Sequence, residues 1–409
     1  MKIWAFPSFY PYDYPGLRWT GIFAHRQYKG LVENGADLSV ILPVSWNPIF
    51  PISELHPGWK QSRQLAYPSE IVYDGIKVYY PRIANLRPNR FVKKPFNERY
   101  IDAITNFFEK NKIKLDPLMD IFYSQWLPDS VLVQEAAHRL GVKSAILSIG
   151  DDVVVWPKEN DYNSNLFKKL MIDADHRFAC ADYLGKEANR IIGENLSYDV
   201  IRWGVDYNFF KPVSETEKMM LKKKYHFPED KIVILNVGTA IARKGWLDLL
   251  DALKLVKEKN NDFILVAVHA GKPEFDLTVE ATKRGLENNF INLAEINPSK
   301  LNEIFNAADI FCLPSHWEGL ANANIEAMSS GLPVITTNVC GHPELITDNY
   351  NGILVPPKQP ALLYEKLLHL ISDKAFRDSL GRNGRKFIVE EWGNFADNAV
   401  LLYSKLSQL

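Results

Sequence analysis

The chain has 409 residues, of which 46% are hydrophobic and 24% are charged, and its formal net charge is −1. A chain of this length exceeds what one hydrophobic core fills, so we expect two domains, and the composition excludes a disordered or fibrous protein. The balanced charge gives no reason to expect a nucleic-acid partner.

No apolar stretch of the sequence approaches the roughly 20 residues that a membrane-spanning helix needs. The opening MKIWAFPSFYPYDYPG has one Lys and a short apolar run broken by Pro7, which is unlike a signal peptide. The three cysteines, Cys180, Cys312 and Cys340, form neither a CxxC pair nor a disulfide framework. We therefore expect a cytoplasmic enzyme in a reducing compartment.

The first half of the chain alternates short β-rich runs with helical patterns. KIWAF, a helix through FAHRQYKGLVE that ends at Gly35, and DLSVILPV predict a βαβ opening. IVYDGIKVYYPR predicts a hairpin, and the alternation continues through DIFYSQ, a helix from Asp129 to Leu140, KSAILSI, HRFACA and YDVIRW. Strands that alternate with helices predict a parallel, doubly wound sheet.

The second half repeats this style with KIVILNVG, a helix that begins at Trp246, DFILVAV, ADIFCLPS, LPVITTN and GILVPP. The pattern is interrupted at GVDYNFFKPVSETEKMM, where we place the domain boundary. The predicted domains are residues 1–205 and 206–385, followed by a C-terminal helix in residues 386–409 that crosses back to the first domain.

The most informative segment is ADIFCLPSHWEGLANANIEAMSSGLPVITTNVCGHPELI. The strand DIFCL leads to Glu318 in a loop, and a predicted helix over about residues 322–330 carries Glu326. Ligands of open α/β sheets lie beyond the carboxyl ends of the strands. The first N–H groups of this helix suit a diphosphate or sugar hydroxyls, and Glu326 suits the vicinal hydroxyls of a ribose.

The same segment carries an ordered set of motif residues: Pro314 and Ser315, Glu318 and Gly319, Glu326, Ala327 and Met328, Gly331 with Pro333 and Val334, and Gly341 with Pro343 and Glu344. This set resembles the signature of the group 1, family 4-like retaining glycosyltransferases. Their architecture is GT-B, an α/β fold of two Rossmann-like doubly wound parallel-sheet domains that face each other across a cleft.

The resemblance implies that a sugar moves from a nucleotide-diphosphate sugar to a hydroxyl of a saccharide, glycoconjugate or lipid-linked glycan, with retention of anomeric configuration. UDP- and GDP-sugars are the first donors to expect, with no metal and no cofactor. The family further implies a role in polysaccharide biosynthesis.

The resemblance also implies site residues in three groups. The catalytic group is Lys244, Glu318 and Arg243, in which the cations stabilise the departing diphosphate. The donor-binding group is Gly21, Gly238, Thr239, Ile296, Gly319, Leu320, Ala321, Asn322 and Glu326. The sugar or acceptor group is Gly16, Gln125, Asp152 and His316.

Three positions depart from the family pattern. Thr239 stands where an Arg is frequent, Gln125 where many members carry a His, and Ala321 where a Gly is usual. A Gln amide can hydrogen-bond a sugar hydroxyl but cannot move a proton. These departures leave open a catalytically weak, sugar-binding homologue.

Residues 77–99 contain seven basic residues and one acidic residue, interleaved with aromatic side chains. Such a segment suits an anionic lipid-linked acceptor or peripheral contact with the inner face of the membrane. A solvated loop is the alternative.

Other reaction classes also fit part of the pattern. A metal-dependent transferase would need an Asp-x-Asp site, which Asp173 and Asp175 match only formally. A glycosidase also uses paired carboxylates but needs no cationic diphosphate site. A sugar-nucleotide epimerase or hydrolase on the same fold is the main alternative, because fold alone does not set the reaction.

Overall fold

The computed structural model of the chain describes residues 1–8, 10, 21–46, 68–84, 94–269 and 271–409. These residues divide into two compact units, Met1–Trp203 with Phe395–Leu409, and Gly204–Asn394. The segment 386–409 is therefore split, because residues 386–394 group with the second unit.

The described part of the first unit contains ten strands: β1 (Lys2–Phe6), β2 (Asp37–Ile41), β3 (Val44–Trp46), β4 (Glu70–Tyr73), β5 (Ile76–Tyr79), β6 (Arg82–Ala84), β7 (Asp120–Gln125), β8 (Lys143–Ser148), β9 (His176–Ala179) and β10 (Asp199–Val200). Eight of them form one sheet in the order β10-β9-β8-β7-β1-β2-β5-β4, and β3 pairs with β6. The neighbours in the large sheet run parallel except β4 and β5, which form the predicted hairpin around Asp74 and Gly75.

The helices that accompany these strands are α1 (Ile22–Glu33), α2 (Phe96–Lys110), α3 (Leu127–Leu140), α4 (Asp151–Val154), α5 (Asp161–Asp173) and α6 (Asp182–Ile192), with a 3₁₀ turn at Trp156–Lys158. The sheet is apolar on both faces, because Ile3 and Ala5 of β1 lie in one hydrophobic cluster while Trp4 and Phe6 lie in another. A sheet buried on both faces is the expected setting for parallel strands.

The second unit contains six described strands: β11 (Ile232–Val237), β12 (Phe263–Val268), β13 (Phe290–Ala294), β14 (Ile310–Leu313), β15 (Val334–Thr337) and β16 (Ile353–Val355). They form one parallel sheet in the order β13-β12-β11-β14-β15-β16. Here too both faces are buried, since Leu235 and Ile234 of β11 belong to different hydrophobic clusters.

The helices of the second unit are α7 (Glu215–Lys224), α8 (Trp246–Lys257), α9 (Leu277–Lys283), α10 (Pro298–Ala307), α11 (Asn322–Ser329), α12 (His342–Leu345), α13 (Pro360–Ser372) and α14 (Lys374–Phe387). Short 3₁₀ turns lie at Ala242–Lys244 and Glu287–Asn289, and a π-helical turn at Ile388–Trp392 follows α14. The first helix begins with a capping signal, because the Ser214 side chain accepts a hydrogen bond from the N–H of Glu217 at 3.2 Å.

The last helix, α15 (Phe395–Leu406), belongs to the first unit and packs on α1. The two helices approach closely at Gly30, where an added Cβ would lie 2.8 Å from the Cβ of Ala399. No helix in the described part of the chain is both long enough and apolar enough to cross a membrane.

Both sheets reverse their strand order beside their first strand. β1 lies between β2 and β7, and β11 lies between β12 and β14. Ligands of doubly wound sheets bind beyond the carboxyl ends of the strands at such a switch point. The predicted fold class, two doubly wound parallel-sheet domains, is confirmed, and each domain has one position where a ligand site is expected.

Candidate active site

The switch point of the second sheet brings together the loop after β11 and the loop after β14. The first loop carries Arg243 and Lys244, and the second carries Ser315 and Glu318. β11 and β14 are hydrogen-bonded neighbours, so both loops leave the same edge of the sheet side by side.

Close packing fixes the loop that carries Lys244. Gly245 has a left-handed φ of 69°, and a Cβ on it would lie only 1.9 Å from the carbonyl oxygen of Pro314. Only glycine fits such a position without a shift of the backbone. The sequence Lys-Gly therefore holds the cation against the end of β14.

Glu318 is the centre of the polar contacts at this edge. The Nζ of Lys244 donates to its Oε1, Arg243 Nη1 lies 3.4 Å from the same oxygen, and the Ser315 hydroxyl donates to it at 3.2 Å. The Glu318 residue is only 7% exposed. A carboxylate this buried requires cationic and hydroxyl partners of this kind to stay ionised.

The pKa of Glu318 reflects a balance of opposing effects. Burial raises the pKa, but the charges of Lys244 and Arg243 and the hydrogen bond from Lys244 outweigh burial and hold it below its usual range. Glu318 is therefore ionised at neutral pH. Two cations and one carboxylate leave a net positive charge, which suits an anionic ligand such as a diphosphate.

His316 ties the two loops to each other. Its backbone N–H donates to the carbonyl of Arg243 at 2.7 Å, and its Nε2 lies 2.6 Å from Oδ2 of Asp248 on α8. His316 was predicted to contact the sugar or the acceptor. The structure shows its imidazole in contact with the helix that follows Lys244.

Helix α11 begins four residues after Glu318. Leu320 and Ala321 are buried, and Ala321 is the N-cap without a side-chain cap. The N–H of Asn324 donates to the carbonyl of Ala321 at 3.0 Å, whereas those of Asn322 and Ala323 have no partner within the helix by its geometry, so they can serve a ligand. Glu326 lies in the second turn and is half-buried.

The other predicted donor-binding residues of this unit surround the same edge. Gly238 follows β11, and a Cβ on it would contact the Lys244 side chain at 3.7 Å. Thr239 accepts a hydrogen bond from the Trp246 indole through its carbonyl at 3.0 Å. Ile296 follows β13 and packs against the core below. Gly319 accepts a hydrogen bond from the N–H of Gly341.

A buried polar network beneath Glu318 was missed by the sequence analysis. The Nδ1 of His342 lies 2.9 Å from the carbonyl of Thr337, so it donates there, and its Nε2 accepts from the Asn324 amide at 3.3 Å. Burial lowers the pKa of His342, which fits this neutral form. The Oδ1 of Asn324 is buried without a hydrogen-bond partner in the described part of the chain. A His inside the Gly-x-Pro-Glu motif was the available sequence signal.

The first unit supplies amides and backbone groups at its switch point. Gln125 ends β7, is buried, and donates from Nε2 to Oε1 of Gln27 at 2.7 Å. The same Gln27 oxygen accepts from the Tyr123 hydroxyl at 2.9 Å. Gly21 is the N-cap of α1 with a left-handed φ of 75°, whereas Gly16 lies outside the described residues.

The carboxylate of Asp152 links two backbone segments of the first unit through hydrogen bonds. Its fully buried carboxylate accepts hydrogen bonds from the N–H groups of Gly150 at 2.6 Å, Ile149 at 3.1 Å and Leu127 at 3.2 Å. Burial raises its pKa to about 6 against the opposing effect of these N–H groups. Asp152 thus joins the loops after β7 and β8, a role that differs from the predicted contact with the sugar.

The basic segment over residues 77–99 is described only in part, because residues 85–93 lie outside the described residues. Of the described cations, Lys94 pairs with Asp102 at 2.7 Å.

The formal Asp-x-Asp site has a hydrogen-bonding role within the fold. Asp175 accepts hydrogen bonds from the N–H and hydroxyl of Ser144 at 2.8 and 3.2 Å. No cluster of three His, Cys, Asp or Glu side chains suited to a metal ion occurs among the residues described.

The chain is similar to known glycosyltransferases around this site. Residues 218–387, which contain the Lys244 and Glu318 loops and α11, match the profile of the family Glycosyl transferases group 1.

Curated relatives extend the similarity of the group 1 segment. The uncharacterized glycosyltransferase MJ1607 of Methanocaldococcus jannaschii is 28% identical over 205 residues, which cover 49% of this chain and 51% of that protein. The putative teichuronic acid biosynthesis glycosyltransferase TuaC of Bacillus subtilis is 25% identical over 368 residues, 90% of this chain and 88% of TuaC. The chain therefore spans about half of the first relative and most of the second.

Solved structures show the same fold over the whole length. A sucrose-phosphate synthase from Thermosynechococcus elongatus has a TM-score of 0.76 at 17% identity, over 100% of this chain and 99% of the other. Anabaena Alr3699/HepE, solved in complex with UDP, has a TM-score of 0.75 at 18% identity, over 100% of both chains. At this identity the likeness shows the fold alone, which is the predicted GT-B class.

Proposed function

We propose that the chain is a glycosyltransferase that moves a sugar from a nucleotide-diphosphate sugar to a hydroxyl acceptor with retention of anomeric configuration. The observation that carries the proposal is the contact of Lys244 and Arg243 with Glu318 at the switch point of the second sheet. The cations supply the positive charge that a metal supplies in other transferases, so we propose a metal-independent reaction.

Each predicted residue has a role in this proposal. Lys244 and Arg243 bind the diphosphate and stabilise the charge that grows on it as it departs. Glu318 accepts hydrogen bonds from donor-sugar hydroxyls, and Glu326 accepts them from the ribose. The first N–H groups of α11 complete the phosphate site, because a helix N-terminus favours anions.

The proposed chemistry needs no nucleophile from the protein. The acceptor hydroxyl attacks the anomeric carbon from the face that the diphosphate leaves. The new C–O bond forms as the bond between sugar and phosphate breaks, and the departing phosphate oxygen takes the acceptor proton. The task of the protein is to position both substrates and stabilise the leaving group.

Similar proteins support the proposed substrates. One neighbour in fold, Anabaena Alr3699/HepE, was solved with UDP-glucose, and a mannosyltransferase relative from Corynebacterium glutamicum, 26% identical over 268 residues, is named GDP-mannose-dependent. UDP- and GDP-sugars are therefore the donors to test first.

The relatives also indicate the class of acceptor. Among them are CapM of Staphylococcus aureus, named for capsular polysaccharide biosynthesis, and TuaC, named for teichuronic acid biosynthesis. We propose a growing polysaccharide or a lipid-linked glycan as the acceptor in a cytoplasmic reaction. Contact of residues 77–99 with anionic lipid stays a prediction, which co-sedimentation with phosphatidylglycerol vesicles tests against vesicles of phosphatidylcholine.

The experiment that tests the proposal begins with the donor. Thermal shift with UDP-, GDP- and ADP-sugars identifies the donor, since a ligand at 100 times its dissociation constant adds about 2.7 kcal/mol of stability. NMR of the product formed with that donor and a saccharide acceptor, with and without EDTA, then gives the anomeric configuration.

The proposal predicts a product with the donor's anomeric configuration at an EDTA-independent rate. An inverted product or loss of activity in EDTA contradicts retention or metal independence respectively. Epimerised or hydrolysed donor as the main product supports the epimerase or hydrolase alternative. Donor binding without any turnover supports a sugar-binding homologue.

A further inference from the structure

The second unit has a cavity of about 610 Å³ at the edge of the sheet opposite the candidate active site. Asp309 and Pro333, which line it, immediately precede β14 and β15, whereas Glu318 follows β14. One face of α14 forms a wall of this cavity. The cavity is therefore separate from the loops that carry Lys244 and Glu318.

The charges of the cavity lining do not cancel. Six cationic and four acidic side chains line it. Three of the acids pair with lysines of the same lining: Asp309 with Lys218 at 2.6 Å, Asp378 with Lys374 at 2.7 Å, and Glu390 with Lys386 at 3.8 Å. The remaining cations are three arginines of α14, with only Glu215 left to oppose them.

These arginines, Arg377, Arg382 and Arg385, pair with no carboxylate in the described part of the chain. Arg377 is only 8% exposed, and its Nη1 donates to the carbonyls of Leu370 and Ile371 at 2.6 and 3.3 Å. These carbonyls lie in the last turn of α13, whose partial negative charge offsets part of the cost of burying a guanidinium without a carboxylate partner.

Arg385 is held in a similar way. Its Nη1 donates to the carbonyls of Phe210 and Ser329 at 2.8 and 2.7 Å. For both arginines these bonds use one end of the guanidinium, and the Nε and Nη2 groups donate to no acceptor among the described residues. A guanidinium that is fixed through one Nη group holds its remaining N–H donors in a defined orientation.

Arg382 lies three residues before Arg385, so the two side chains share a helix face, and Arg382 is exposed. We propose that the cavity binds a small phosphate ester through Arg377, Arg382 and Arg385. Guanidinium forks match the oxygen geometry of phosphate, and the volume falls within the range of small-molecule sites, well above that of an inorganic ion.

The test is calorimetric titration of the full chain with ribose 5-phosphate, inorganic phosphate and ribose. Arg382→Gln is the main variant, because Arg382 is exposed and makes no hydrogen bond or ion pair with the residues that the structure describes. Lys254→Gln removes the same charge from an exposed position of α8 outside the cavity. Lys244→Gln reports any binding of the phosphate at the candidate active site.

We expect ribose 5-phosphate to bind, ribose not to bind, and Arg382→Gln to weaken binding about tenfold, as loss of one charge-assisted contact does. Lys254→Gln should bind as the unmodified chain does, and Lys244→Gln should keep the binding that depends on Arg382, because any phosphate bound at Lys244 occupies a separate site. Tighter binding of ribose 5-phosphate than of inorganic phosphate supports an organic ligand. Equal dissociation constants for the two would contradict the proposal that the ligand is an ester. Absence of binding, or loss of binding in Lys244→Gln alone, overturns the proposal.

Discussion

The two sheets have the same kind of switch point, but different side chains occupy them. In the second unit, the loops after β11 and β14 bring Arg243 and Lys244 onto the ionised Glu318. In the first unit, Gln125 at the end of β7 bonds to Gln27, an amide pair without charge. The fold thus provides two places for a ligand, while charge selects the one suited to a diphosphate.

The largest effect is expected from Glu318→Gln at the charged switch point. Turnover should fall about 100-fold to 1,000-fold, since an oriented group of the transition state is lost. UDP should bind more tightly, because Glu318 no longer neutralises Lys244. Steady-state kinetics and calorimetry measure the two effects. Glu326→Gln is the matched control, for which we expect weaker UDP binding; weaker binding in both variants would contradict the account.

Gly245→Ala tests whether close packing holds the loop of Lys244. A Cβ at Gly245 meets the Pro314 carbonyl, whereas one at Gly141, with a similar φ of 70°, meets nothing within 4 Å. We expect Gly141→Ala to cost about 1 kcal/mol from its left-handed backbone, and Gly245→Ala roughly 1–3 kcal/mol more. Urea unfolding measures both, and equal costs would show that the loop yields to the added methyl.

Asp152→Asn tests, through its pH dependence, the loop that follows β8 in the first unit. The pKa of Asp152 is raised from 3.8 to about 6 in the folded chain, so its contribution to stability is full below pH 4 and is lost as pH rises through 6. This difference in pKa between the folded and unfolded chain corresponds to on the order of 3 kcal/mol in the free energy of unfolding. The Asn side chain does not titrate. The free energy of unfolding of Asp152→Asn, relative to that of the unmodified chain, should therefore rise by about that amount between pH 4 and 7.

Urea unfolding of both proteins at pH 4, 5.5 and 7 measures this gain. Asp151→Asn, one position earlier on α4, corrects for the loss of one carboxylate from that helix. A difference in stability between Asp152→Asn and the unmodified chain that stays constant with pH would contradict the raised pKa.

The sequence predicted the fold class and the grouping of the charged loops because both depend on local patterns. Buried strands, glycine stops and the ordered motif from Pro314 to Glu344 place Glu318 beyond β14. The sequence could not predict that Asp152 binds backbone N–H groups or that Gln125 bonds to Gln27. Those contacts depend on which loop lies beside which, and a motif match cannot distinguish a ligand-facing carboxylate from one that joins two loops.

The central claim is that Lys244 stabilises the departing diphosphate. The most direct test compares Lys244→Ala with the unmodified chain in turnover at saturating donor and in the donor dissociation constant, with Lys254→Ala as the control. The account predicts that turnover falls about 100-fold or more while donor binding weakens less than about tenfold, because the charge on the leaving group grows in the transition state. Equal losses in turnover and donor binding would contradict it.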